Sequence, residues 1–339
     1  MRRKLFASTI LPAGLLVAAL AAVTPAQAAL AQPAQAAVAQ KNPLAQIRAA
    51  LQAGEADKAL TLLQSLPHPG AAEAENLECR VRYSLEQWDA AVSACEQAVR
   101  LDGQNSDDRL WLGRALGEKA DRANFLSAYS LAKRVRSEFE EAVKLNPRNA
   151  DALADLGDFY FEAPGAVGGG VDKAEALCGQ LEKVDPARAH ELRGRIAEGR
   201  KDPQTAEREY KQAIASGPHP ALQWVTLASF YRRHQRLPEM ESAVHSAVTS
   251  AERDKNASVA FFDGASVLSR ANRDLPLAAK MLEDYLASPA KSEEAPAFLA
   301  YNRLATLKEK LGDPAAAQQD RALALALAHD YKPSQEAKH

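Results

Sequence analysis

The chain has 339 residues, 47% of them hydrophobic but only 6% aromatic, and carries a formal net charge of −2 at pH 7. So slight an acidic balance argues against a surface that tracks nucleic-acid phosphates or anionic lipid, which needs a basic excess. Few aromatics beside many alanines fit thin helix–helix seams better than one large core.

At the start, Met1-Arg2-Arg3-Lys4 precedes an apolar stretch, Leu5 to Val23, interrupted only by Ser8, Thr9, Pro12 and Gly14. A basic n-region before an apolar h-region is the pattern of an export signal. Small residues in Ala26-Gln27-Ala28 offer cleavage after Ala28, with Ala34-Gln35-Ala36 as an alternative. An uncleaved anchor is the competing reading, disfavoured by the Pro and Gly inside the stretch. Removing residues 1–28 with their three positive charges takes the formal charge from −2 to −5. The expectation is an exported protein of a Gram-negative periplasm, with no stable membrane insertion after cleavage. Residues 29–42, mostly Ala, Gln and Pro, cannot bury enough apolar area to offset ordering entropy and read as a flexible tether.

From residue 43 a pattern recurs: a small residue opens an apolar helical stripe just after a loop. It runs through Gly54-Glu55-Ala56-Asp57-Lys58-Ala59, Trp88-Asp89-Ala90-Ala91, Gly170-Val171-Asp172-Lys173-Ala174, Asp202-Pro203-Gln204-Thr205-Ala206 and Gly312-Asp313-Pro314-Ala315-Ala316-Ala317. Ala59 to Ala91 is 32 residues and Ala174 to Ala206 is 32, followed by steps of 34, 38 and 39 to Met240, Ala278 and Ala317. Periods of this length mean stacked helix pairs. The longer stretch from Ala91 to Ala174 holds two units plus extra residues in Gly117–Arg136 and in the glycine-rich loop Pro164–Gly170.

The earlier half of each unit reads large–small–large on one helix face, as in Leu112-Gly113 before Leu116, Leu156-Gly157 before Tyr160, and Leu227-Ala228 before Tyr231. The small residue is expected to meet the small residue of the second helix, such as Ala174 or Ala206. Units end at Asn146-Pro147, Asp185-Pro186 or Gly217-Pro218, where proline cannot continue a helix.

These residues resemble the tetratricopeptide repeat (TPR) family over about residues 43–330, in about eight units, less well in the first two, where Leu77-Glu78 blurs the register. Leu112–Ala174 is also similar to the repeat domain of the regulator of microtubule dynamics family and its bacterial relatives. The resemblance implies an all-α, right-handed superhelical solenoid of antiparallel helix pairs whose first helices line a groove for a protein or peptide. A polar tail, 331–339, would follow, and the last pair, with Ala315-Ala316-Ala317-Gln318-Gln319, would cap the stack and meet solvent on one side.

Along that groove Arg114, Asp158, Arg195 and Ser229 are expected to face inward, with Glu118, Phe161, Glu162, Glu198, Arg232, Arg233 and Arg270 one turn further on. The mixed charges point to an extended partner segment with Phe161 as apolar anchor, or to a solvated face of internal ion pairs. Asp155, Asp158 and Glu162 read as an exposed acidic cluster.

No catalytic apparatus, cofactor or metal site is expected. Gly165 to Lys173 has the glycines and lysine of a phosphate loop, but Val171 and Asp172 stand where Gly-Lys-Ser/Thr is needed, and no strand precedes it. Seven scattered histidines lack the i, i+4 pairing of a helical zinc site, and His190 reads as a packed structural residue. Cys79 and Cys95 fall in opposite helices of one unit, so a bridge and two buried thiols both remain open; Cys178 is the odd one. In the third unit, Phe125, Leu126, Tyr129, Ala132, Val135, Phe139 and Val143 recur at helical steps, predicting a long second helix over Ala123–Val143 with Lys133, Arg134 and Arg136 off its stripe. The alternatives to a binding groove are an accessory subunit of an envelope complex docking through its convex surface or this long pair, and an enzyme using the glycine-rich loop.

Overall fold

The structure, a computed structural model, describes residues 42–67, 70–289 and 291–331. The expected signal peptide (1–28) lies outside the described residues, as do the tether but for Asn42 and the tail but for Tyr331. From Pro43 the described residues form sixteen α-helices in eight antiparallel hairpins and no strand. The hairpins are α1 (Pro43–Ala53) with α2 (Ala56–Gln64), α3 (Ala72–Ser84) with α4 (Trp88–Leu101), α5 (Ser106–Asp121) with α6 (Phe125–Leu145), and α7 (Ala150–Glu162) with α8 (Val171–Leu181). They continue as α9 (Pro186–Gly199) with α10 (Pro203–Ser216), α11 (Pro220–Arg233) with α12 (Leu237–Ala251), α13 (Val259–Ala271) with α14 (Leu275–Ala287), and α15 (Ala297–Lys310) with α16 (Pro314–Leu327). This is an all-α, TPR-like solenoid.

Local chemistry starts and stops these helices. Asn105, Asn124, Asn149, Asp185, Asp202, Asp274 and Asp313 each accept a bond from a backbone N–H of the first turn, satisfying donors that a helix leaves orphaned. Within several hairpins one turn residue takes positive φ to reverse the chain: Gly54 (73°) and Gly312 (85°), but also Glu86 (57°), Lys201 (61°) and Gln235 (58°).

The repeat position found by spacing is buried at the seam of seven of the eight hairpins. Ala59, Ala91, Ala174, Ala206, Met240, Ala278 and Ala317 are all 0% exposed. The expected small-on-small contact is not what fills the seam. A methyl group on Gly113 would lie 2.4 Å from the Phe139 ring, on Gly194 2.6 Å from Tyr210, and on Gly264 2.4 Å from Met281, so a large side chain of the second helix occupies each glycine's space. Gly157 is filled from the next unit, by Leu192.

The last hairpin does not end a free stack. Although α16 presents Ala315, Gln318 and Gln319 to solvent, Phe298, Ala324, Ala328 and Tyr331 bury against Ile47, Leu51, Leu63, Val81 and Leu85 of the first two hairpins. Lys291 N donates to Gln52 O at 2.6 Å, His329 N to Asp57 at 2.8 Å, and the Tyr331 hydroxyl to Glu86 at 3.0 Å. Gly54 admits Ala297, whose backbone nitrogen would lie 2.3 Å from any added Cβ. The series of hairpins therefore closes on itself, because the terminal unit carries large apolar side chains where a cap would be polar. Tyr331, assigned by sequence to a polar tail, is 2% exposed.

The long second helix of the third unit is continuous over 21 residues, Phe125–Leu145. Its stripe is buried only from Val135 onward; Phe125 (83% exposed), Leu126 (78%) and Tyr129 (40%) stand in solvent. Among the basic residues off the stripe, Lys133 lies over the Tyr129 ring at 4.5 Å, Arg134 pairs with Glu96 at 2.5 Å, and Arg136 donates to Val167 O at 3.3 Å.

Candidate functional site

The first helices of successive units bind one another side by side through charge. Arg114 Nε on α5 donates to Asp155 of α7 at 2.6 Å. From α7, Asp151 takes Arg188 of α9, while Asp158 and Glu162 share Arg195 of α9. From α9, Glu198 holds Arg233 of α11 at 2.6 Å and accepts from the Tyr210 hydroxyl at 2.7 Å. Helices set side by side at repeat spacing bring opposite charges to the same height, and pairing spares each charge part of the cost of leaving water. Of the acidic cluster read as an exposed face, Glu162 is exposed, while Asp155 and Asp158 are half-buried in ion pairs: burial pushes their carboxyls up, against the pull of Arg114 and Arg195. At Glu198 burial pushes up too, but bonds from Arg233, Tyr210 and His234 outweigh it and hold the carboxyl below the usual range.

Between these pairs the inner wall leaves two adjoining cavities, of about 590 and about 930 Å³, which share Arg188, Glu191, Arg195 and Glu294. Of the residues placed in the groove by sequence, Arg114 and Asp158 line the smaller, Arg195 both, and Phe161, Glu162, Glu198, Ser229, Arg233 and Arg270 the larger. Glu118 lines a third cleft, of about 460 Å³, beneath α6 with Val135 and Phe139, which shares Arg114 and Asp158 with the smaller cavity and Glu162 with the larger. Arg232 lines none of these three. Phe161 packs on Gly199 with the Arg195 guanidinium 5.7 Å from its ring centre.

The larger cavity has an apolar floor of Leu222, Val225, Phe262 and Val267. Burial pushes Glu191 and Asp263 on its wall up to about 6. The Gln223 amide oxygen is buried there without a hydrogen-bond partner among the described residues. Beyond it, a cleft of about 270 Å³ is lined by Arg270, Arg303 and Lys310 with Ser266, Ser269 and Thr306, and by no acid. Arg303 lies over the Phe262 ring at 4.1 Å and bonds the Ser266 hydroxyl.

Sequence reading missed Arg188, Glu191, Asp263 and Arg303, as well as Glu293 and Glu294 between α14 and α15. The first four lie on first helices, Arg188 and Glu191 on α9, Asp263 on α13 and Arg303 on α15, a class of position the period identifies. The pair Glu293-Glu294 had none, since a connector shows no periodicity.

The Lys173 ammonium donates to Gly168 O at 2.8 Å and lies 5.2 Å from the Tyr160 ring centre. A helix, α7, precedes the glycine-rich loop, which forms a single 3₁₀ turn at Gly165–Val167. Cys79 and Cys95 are bonded to each other, their Cα atoms 5.1 Å apart, and Cys178 is a buried thiol. His190 Nδ1 lies 2.8 Å from Glu209. Among the described residues no group of three or more His, Cys, Asp or Glu could hold a metal, and no helix is long and apolar enough to cross a membrane.

No protein-family model matches the chain, and no curated protein matches it by sequence. Solved structures resemble it in part. TTC0263, a thermophilic TPR protein of Thermus thermophilus, is 23% identical over 58% of this chain and 99% of its own, with a TM-score of 0.43. The APC/C hetero-tetramer Cut9–Hcn1 is 16% identical over 72% of this chain and 45% of the other, with a TM-score of 0.44. MamA is 16% identical over 52% of this chain and 95% of its own, with a TM-score of 0.33. By its own eight hairpins of paired helices, the described chain has a tetratricopeptide-like helical-repeat fold.

Proposed function

We propose that the protein is a non-catalytic scaffold of the bacterial envelope that holds an extended protein segment or peptide against the first helices of units three to eight. The observation that carries this reading is the larger cavity. It combines an apolar floor with charged walls of both signs. Pockets of several hundred Å³ with few convergent polar groups are the usual shape of a binding site. The Cys79–Cys95 bond supports an oxidising compartment such as the periplasm, in keeping with the export signal read from residues 1–28.

A second reading rests on α6. Phe125, Leu126 and Tyr129 expose an apolar tip that a subunit of an envelope complex would cover. One experiment separates the two. Crosslinking and recovery from intact cells should yield a partner with the wild-type chain and lose it with Phe161→Ala or Ser229→Trp, the latter filling the cavity. If recovery survives both but fails with Phe125→Ser/Leu126→Ser, the cavity reading is wrong and the α6 tip is the contact.

A further inference from the structure

Except between α14 and α15, the connections that join one hairpin to the next take three to seven residues: four, 146–149, between α6 and α7, three, 217–219, between α10 and α11, and seven, 252–258, between α12 and α13. Between α14 and α15 the chain spends nine, 288–296. The extra length carries Glu293 and Glu294 to the inner wall on the far side of the closure. There Arg80 of α3 binds Glu293, and Arg114 of α5 binds Glu294 at 3.2 Å. Both guanidinium groups lie over one ring, Trp111, with carbons 5.1 and 4.9 Å from its centre. The segment is held in shape, with the Tyr285 hydroxyl donating to Ala295 O at 2.5 Å and accepting from Ser292 N at 3.0 Å.

Two guanidinium groups packed on one aromatic ring form a rigid, partly desolvated receiver for adjacent carboxylates. Arg80 Nε is moreover buried without a hydrogen-bond partner among the described residues, a donor that Glu293 leaves unused. Exchanging one carboxylate for another at such a receiver changes little in contact energy. What favours the internal pair is its effective concentration, on the order of millimolar for a short tether.

We propose that Arg80, Trp111 and Arg114 form a recognition site for an extended acidic stretch of the partner, two adjacent carboxylates long, and that residues 291–296 occupy it as an internal stand-in which the partner displaces. The proposal rests on the inner wall being the binding surface and deepens that reading by naming the charge of the partner. Because Lys291 of the same segment bonds Gln52, displacement also loosens the closure between the last hairpin and the first.

The test uses the full chain and a fluorescein-labelled hexapeptide copying residues 291–296, Lys-Ser-Glu-Glu-Ala-Pro, beside a control with both Glu replaced by Gln. Fluorescence polarisation should show the acidic probe binding E293Q/E294Q at least about tenfold more tightly than wild type, as expected when a tethered competitor is removed. The Gln control should gain nothing, and adding R80Q/R114Q should abolish the gain. No gain, in a variant whose helical signal and melting match wild type, overturns the proposal and leaves the segment a structural strut. Should E293Q/E294Q not fold, E294Q alone, at a half-exposed side chain, must still gain about threefold; an unchanged affinity overturns the proposal equally. The outcome is distinct from that of the cavity test, since Phe161 and Ser229 line the larger cavity and neither Arg80 nor Arg114 does.

Discussion

Gly194 has no room for a methyl group, because the ring of Tyr210, itself 1% exposed, would lie 2.6 Å away. Gly194→Ala should therefore destabilise by about 1–3 kcal/mol, the cost of overpacking a filled seam, read as a lower denaturation midpoint at unchanged slope. Sequence reading found small residues at the equivalent height in other units, Gly113 and Gly157 among them, but paired them with other small ones. Periodicity reports which face is buried, not which rotamer reaches across it. Glu191 shows a second effect that spacing cannot carry. Burial pushes its carboxyl up to about 6, so the folded chain binds this proton more tightly than the unfolded chain, whose glutamate titrates near ~4.3. Its contribution to stability is then greatest below about pH 4 and shrinks as pH rises to 6, the reverse of a salt-bridged acid. Glu191→Gln should flatten the stability–pH profile between those values; an unchanged slope in chemical denaturation across pH 4–6 would rule the assignment out.

Elements were the most legible scale, because one helix pair repeated eight times gives the same pattern many chances to declare itself. The alanine positions found from steps of 32 to 39 residues are fully buried, and the long helix of the third unit is unbroken. What the stripe did not reveal is that Phe125, Leu126 and Tyr129 extend past the helix that should cover them: α5 ends at Asp121, while α6 runs to 21 residues. A moment along one helix says nothing about the length of its neighbour. The hairpin turns make a further prediction. Lys201 holds φ at 61° without being glycine, while Gly54 and Gly312 take the matching turns of their own hairpins. Lys201→Gly should raise stability by about 0.5–1 kcal/mol by relieving left-handed strain, measured in urea; a loss would show that this turn is not strained.

At the scale of the whole repeat body, sequence reading assumed an open stack with a capped end, because each unit was compared only with its neighbours. Contacts between first and last units leave no periodic trace, and Phe298 reads locally as one more apolar helix residue. In a linear array each repeat touches only its neighbours, so stability is roughly a sum of local terms and the ends fray first. Closure removes those ends. Phe298 is 0% exposed, its ring centre 4.9 Å from that of Tyr331 and tilted 55° to it, and is buried among residues of the first hairpins. Phe298→Ala should cost about 3–5 kcal/mol as a core truncation. The site of the damage distinguishes closure from ordinary packing. Amide exchange should accelerate in α1 and α2 as much as in α15 and α16, although some 240 residues separate them in the chain, while α7 to α10 keep their protection. Unfolding should also lose cooperativity, with the two end hairpins melting before the middle. If exchange rises only in α15 and α16, the first hairpin does not depend on the last, and the seam contributes nothing to holding the inner wall in place.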